Sequence, residues 1–177
     1  MPRILLVNEA DEVVGTADRY SKKPEEIFRA AHLWFTNSNG EILLAQRAAQ
    51  KVWGANMWGP AAAGTLEEGE TYESNIIKEA EEEIGLVIEP ERLQKSFKMR
   101  FKTVGGSFNQ FFTYKADAHI ESFRLQEDEV QAVRWVTKEV LLEEITAYPE
   151  RFVGNMPYWL FNFIPEAKAL VPEKWYD

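Results

Sequence analysis

The sequence predicts an α+β domain in which a central mixed sheet lies between helices, and three observations lead there. β-type segments dominate the first half of the chain, amphipathic helical segments follow them, and the two kinds do not alternate as an all-parallel sheet requires. The 177 residues have the length of one domain, spanning 1–177, and folding at that length buries roughly 70% of the surface of the extended chain. Hydrophobic residues make up 45% of the chain and aromatics 13%, so burial can offset conformational entropy without a disulfide or a structural metal. No internal repeat, low-complexity segment or Gly/Ser linker divides it.

The elements follow in order. Residues 3–7 and 12–17, separated by Asn8-Glu9-Ala10-Asp11, read as an N-terminal β-hairpin. Residues 29–36 and 41–47 read as two more strands, joined by the turn formers Asn37-Ser38-Asn39-Gly40. Thr71 to Ile84 reads as a helix: Ile76, Ile77, Ala80 and Ile84 stand at core-facing spacing, and Gly85 suits a left-handed C-terminal cap. Ser96 to Val104 and Ser107 to Ala118 flank Gly105-Gly106, a pair suited to a two-residue hairpin turn. That turn places Phe97, Met99, Phe101 and Thr103 on one face with Phe108, Gln110, Phe112 and Tyr114, and points Lys98, Arg100 and Lys102 the other way, into solvent. A strand at Val130 to Val136, a helix over Lys138 to Ala147 and a helix through Tyr158 to Leu170, kinked or broken by Pro165, complete the chain.

Composition excludes several functions. With no cysteine there is no disulfide framework, no thiolate zinc site and no cysteine nucleophile, and a reducing cytoplasm is the natural compartment. A net charge of −9 argues against binding a nucleic-acid polymer, because that binding depends on Lys and Arg releasing counterions. The apolar start Ile4-Leu5-Leu6-Val7 is too short for a signal peptide, and no segment approaches a membrane span.

The predicted helix at Thr71 carries the chemistry. Glu79, Glu82 and Glu83 stand at i, i+3 and i+4, so their carboxylates project from one side. Like charges held that close favour a cation among them, and ligation by oxygen alone suits Mg²⁺ or Mn²⁺. The acidic run Glu81-Glu82-Glu83, taken alone, reads first as a solvated face, and only its surroundings favour a metal site.

Gly64, Glu70, Glu79, Glu82, Glu83, Gly85 and Leu86 together resemble the signature of the Nudix hydrolases, G-x5-E-x7-R-E-U-x-E-E-x-G-U, where U is a bulky aliphatic residue. The resemblance implies an α/β/α sandwich around a mixed sheet, with Glu79, Glu82, Glu83 and the Gly64 carbonyl as metal ligands and Glu70 in contact with Lys78. It implies water attack on a diphosphate linkage in a nucleoside diphosphate derivative or a related small phosphorylated metabolite. The proton acceptor is then a glutamate of the helix or a carboxylate of Glu127-Asp128-Glu129. Two departures stand out: Lys78 replaces the usual arginine and so lacks its planar fork, and Ala80 replaces a bulky aliphatic residue.

From about Ile4 to Ile164 the chain is also similar to the isopentenyl-diphosphate isomerase branch of the superfamily. The similarity rests on the N-terminal hairpin, His32, Gln46-Arg47-Ala48, Lys51 and Pro149-Glu150-Arg151-Phe152. That alignment implies phosphate contacts for Arg47 and Lys51. It makes the isomerase the rival activity, opposed by the missing acid/base cysteine, since the corresponding stretch reads Gly59-Pro60-Ala61-Ala62-Ala63-Gly64. A non-catalytic module that binds phosphorylated ligands is the third reading. His32 reads as a hydrogen-bonded core residue, and Tyr158-Trp159-Leu160-Phe161 reads as packing, any exposed part being available for a homodimer contact.

Overall fold

In a computed structural model that describes residues 3–102, 106–154 and 156–170, every strand joins one mixed sheet. The expected hairpin forms from β1 (Arg3–Val7) and β2 (Val13–Asp18), antiparallel to one another. Next come β3 (Ile27–Thr36), β4 (Ile42–Arg47) and two short strands, β5 (Trp58–Gly59) and β6 (Ala62–Thr65). β5 and β6 were not apparent in the sequence, since runs this short and this rich in Gly and Ala carry no alternation to read. β7 (Gln94–Phe101), β8 (Ser107–Lys115) and β9 (Val130–Val136) complete the sheet.

β3 is its organising strand. It pairs antiparallel with β1, β4 and β6 and parallel with β8, which makes the sheet mixed as expected. A strand so placed is covered on both faces, and IFRAAHLWFT accordingly buries Ala31, Leu33 and Phe35 toward one side and Trp34 toward the other.

The helices divide between those faces. α1 (Tyr72–Ile84) lies on the first, with Ile76, Ala80 and Ile84 sealed against Leu5, Ala31, Leu33 and Phe35. Burying each isoleucine stabilises the contact by about 1.5–3 kcal/mol. Thr71 and Ser74 form a reciprocal capping box at its start, and Gly85, at φ 69°, ends it by donating to the carbonyls of Ala80 and Glu81. On the second face α2 (Lys138–Ala147) and α3 (Met156–Leu160) pack Leu141, Ile145, Met156 and Trp159 against Trp34, Leu44 and Phe111. Among the described residues no helix is long and apolar enough to cross a membrane.

Three expectations need correction. The helix expected through Tyr158 to Leu170 is split, because α3 stops at Leu160, well before Pro165 opens a separate 3-10 turn at Pro165–Leu170. The β7–β8 register also differs. Phe101 pairs with Ser107 and Met99 with Asn109, so five residues rather than two connect the strands, and the odd shift exchanges the faces. Phe97 therefore stacks on Phe111 at 4.5 Å, while Phe112 and Tyr114 face α1. Thr103, Val104 and Gly105 lie outside the described residues.

The basic row of β7 is likewise not a bare solvated face. Arg100 pairs with Glu9 at 3.1 Å and Lys98 pairs with Asp11, which fastens the β1–β2 turn onto β7. Asp11 holds a positive φ of 59° and also accepts from Arg29 at 2.7 Å and from the Tyr72 hydroxyl at 3.2 Å. Burial alone would raise its pKa, but the hydrogen bonds from Lys98 and Arg29 outweigh burial and hold the carboxyl below the usual aspartate range. Asp11→Ala removes the shared acceptor of all three donors and is expected to destabilise the fold by about 2 kcal/mol in urea unfolding at neutral pH. A depressed carboxyl stabilises above its unfolded pKa and loses that effect as pH falls, so the difference between wild type and variant shrinks below about pH 4.

Candidate active site

The site is built where α1 meets β6. Along a helix each residue turns by about 100°, so Glu79 and Glu83 stand nearly in line while Glu82 is rotated well away from Glu83. The structure follows that geometry. Glu83 is buried, at 8% exposure, and its Oε2 accepts the Ala63 N–H at 3.1 Å; Glu79 lies across Gly64; Glu82 is exposed. A Cβ on Gly64 would overlap the Glu79 carboxyl, so the absent side chain is what lets helix and strand approach.

Burial pushes the Glu83 carboxyl up to about 8, and the neighbouring Glu79 charge adds to the effect. Burial likewise pushes Glu79 up to about 7, opposed by Lys78 and reinforced by Glu82 and Glu70. Glu70 and Lys78 meet as expected, with Nζ 2.6 Å from Oε1 of Glu70 and 3.9 Å from Oε1 of Glu79. Asn75, which the sequence reading passed over, reaches the same two carboxylates through Nδ2, at 2.8 Å from Glu70 and 3.3 Å from Glu79.

Beside Glu83 a cavity of about 70 Å³ opens, with His32, Arg47, Trp53, Ala63 and Glu129 in its wall. Of the basic pair expected at substrate phosphates, Arg47 reaches this cavity, while Lys51 stands outside its wall and pairs with Glu129. Arg47 is fixed by donating from Nε to the Trp53 carbonyl at 3.0 Å and by stacking on the Trp53 ring. Of the acidic triplet before β9, Glu129 alone lines the cavity. His32 is hydrogen-bonded as expected, through Nε2 to Asn109 at 2.8 Å, and burial lowers its pKa to about 4, so the imidazole is neutral.

The donor set suits a hard divalent cation: carboxylate and peptide oxygens surround the α1–β6 junction, and half-buried Glu79 and buried Glu83 repel one another in the absence of a counter-charge. The side chains as they stand bring Glu79 and Glu83 to β6 and leave Glu82 apart. Among the described residues no three His, Asp or Glu groups already converge as an ion's ligands.

Fold and site define an α/β/α protein that carries Glu70 on a loop and Glu79, Glu82 and Glu83 on the helix that follows it. A family model described as NUDIX domain matches residues 27–155. A Listeria monocytogenes protein named as an uncharacterised Nudix hydrolase is 30% identical over 159 residues, 89% of each chain. An Enterobacter isopentenyl-diphosphate Delta-isomerase is 27% identical over 84% of each chain. A crystal structure from Deinococcus radiodurans superposes with a TM-score of 0.72 at 29% identity, covering 87% of this chain and 94% of that one. The chain belongs to the Nudix family, and within it the chain is a Nudix-type pyrophosphohydrolase.

The tight passage of Glu79 over Gly64 makes the pair energetically coupled. Gly64→Ala is expected to destabilise the protein by about 1–3 kcal/mol in urea unfolding. The same change made in a Glu79→Ala background is expected to do less harm, because the overlapping carboxyl is gone; additive losses in the double variant would contradict the packing described.

Proposed function

We propose that the chain acts as one domain, residues 1–177, and as a Mg²⁺- or Mn²⁺-dependent hydrolase of diphosphate linkages in small cytoplasmic metabolites, nucleoside diphosphate derivatives foremost. One observation carries the reading: half-buried Glu79 and buried Glu83 sit one helical turn apart against β6, and Glu83 lines a cavity with a guanidinium in its wall. Buried like charges are unfavourable unless a cation or a proton intervenes, which is a poor arrangement for stability and a useful one for metal binding.

In this proposal Glu79, Glu82 and Glu83, with the Gly64 carbonyl, would hold the cation, Glu82 contributing from an exposed position on α1. Bound there, a divalent cation would supply Lewis-acid chemistry to phosphoryl oxygens and would lower the pKa of water. Arg47, facing the cavity and fixed there by Trp53, would hold a substrate phosphate. Lys51 neutralises Glu129 in the resting state and would meet a phosphate only by releasing it. Glu129, the member of its triplet on the cavity wall, is the carboxylate best placed to accept the water's proton. The chain has no cysteine to serve as the isomerase's acid, so hydrolysis is favoured over isomerisation.

The decisive experiment incubates the protein with nucleotides, nucleotide sugars, dinucleoside polyphosphates and prenyl diphosphates in Mg²⁺ or Mn²⁺, reading released phosphate and any allylic isomer. Glu82→Gln is expected to lower kcat by about 10²-fold. Near-normal turnover in that variant would remove Glu82 from the site.

The raised carboxyl pKa values give a second expectation. Between the unfolded glutamate value of about 4.3 and the folded values of about 7 and about 8, the folded protein binds more protons than the unfolded chain. Metal-free stability therefore falls as pH rises through that window, while divalent-ion affinity increases. Thermal melts from pH 5 to 8.5, with chelator and with Mn²⁺, are expected to diverge as pH rises; parallel curves would contradict the assignment.

A further inference from the structure

We propose that Asn75 is a positioning residue, its side-chain amide combining with the Lys78 ammonium to hold Glu70 and Glu79 in the role that a single arginine fork at position 78 would fill. The inference rests on the reading of Glu79 as a metal-binding carboxylate.

Asn75 is an anomaly on its helix. It is completely buried, at 0% exposure, beside Ile76 on the face of α1 that packs into the domain, where an apolar side chain would be the ordinary occupant. Its orientation is fixed by what surrounds it. Nδ2 has Oε2 of Glu70 at 2.8 Å, Oε1 of Glu79 at 3.3 Å and the Thr65 carbonyl at 3.4 Å, all of them acceptors. Turning the amide over would set an oxygen against three oxygens. The opposite atom, Oδ1, has no hydrogen-bond partner among the described residues, so the amide is spent on its donor side alone.

Lys78 by itself does not do this work. Its Nζ is 2.6 Å from Oε1 of Glu70 but 3.9 Å from Glu79, so it grips one carboxylate and only neighbours the other. An ammonium is a point charge, whereas a guanidinium presents several donors in a plane and could serve both at once. Among the described residues Asn75 provides the hydrogen bond that the Glu79 carboxylate accepts. Glu70 links the two donors: Oε1 takes Lys78, and Oε2 takes Asn75 together with the Glu67 N–H at 2.8 Å. Charge comes from Lys78 and direction from Asn75.

The test uses four full-length proteins: wild type, Asn75→Ala, Lys78→Arg and the double variant. Alanine is the strongest helix former, so Asn75→Ala keeps α1 folded, and urea unfolding verifies this. Binding of Mn²⁺ alone, followed by electron paramagnetic resonance, is expected to weaken about 10-fold in Asn75→Ala. Turnover of a diphosphate substrate is expected to fall in kcat by a similar factor, about 10-fold, with little change in KM. Introducing Lys78→Arg into Asn75→Ala is expected to recover most of both losses. Rescue by a second donor fork separates positioning from a merely structural role, which an arginine on the neighbouring residue would not repair.

Unchanged Mn²⁺ affinity in Asn75→Ala, or a loss that Lys78→Arg fails to recover, overturns the inference while leaving the proposed function standing. Failure of the wild type itself to bind Mn²⁺ overturns the proposed function and this inference with it.

Discussion

The rest of the structure depends on the docking of α1 against β6, where a helix carboxylate meets a strand N–H and another carboxylate slides over a glycine. Ile76, Ala80 and Ile84 supply the driving force on one flank of the helix, and on the adjoining flank Glu83 is carried under the surface and Glu79 is half-buried. Hydrophobic burial is what makes this tolerable: the apolar contacts of α1 offset the unfavourable desolvation of two acidic groups. The resulting strain is chemical rather than conformational. In the proposed function a cation would relieve these two carboxyls, whose pKa values are raised toward neutrality.

Around that junction the fold supplies complementary charge sparingly. With a net charge of −9, attraction for a phosphorylated substrate has to come from locally placed cations, and in the proposed function Arg47 is one, in the wall of the cavity beside Glu83. Arg47 enters its wall from the end of β4, steadied by the loop that carries Trp53, and Glu129 enters from the start of β9, balanced by Lys51 from behind. β4 and β9 are antiparallel neighbours, so one pairing sets the distance between the basic and the acidic wall. The N-terminal hairpin is secured independently, through Glu9 and Asp11 on the basic residues of β7.

Much of this was legible in the sequence where a local pattern has one solution. The hairpin at residues 3–17, α1 with its Thr71 and Gly85 caps, β9 and α2 all lie close to where periodicity and end signals place them. The β7–β8 pairing did not, because a glycine pair is compatible with connections of different length, and one odd shift moved Phe97 and Phe112 to opposite faces. β5 and β6 are strands only by virtue of their neighbours, since four residues of Ala, Gly and Thr have no hydrophobic alternation. Asn75 escaped notice for a similar reason: an amide in a helix is unremarkable until Glu70, five residues before it, and Glu79, four after it, are seen to converge on its nitrogen.

The sequence by itself determined the family, the mixed α/β/α architecture and the spacing of acidic residues on one helix, because these rest on short-range periodicity and on residue types at fixed offsets. Tertiary structure alone decided that Glu79 and Glu83 turn inward while Glu82 stays in solvent, that Arg47 and Glu129 share a cavity wall, and that an asparagine assists a lysine. Those outcomes depend on which strand lies beside which and on how closely two backbones approach. Such distances are fixed by the packing of segments far apart along the chain, which no local pattern encodes.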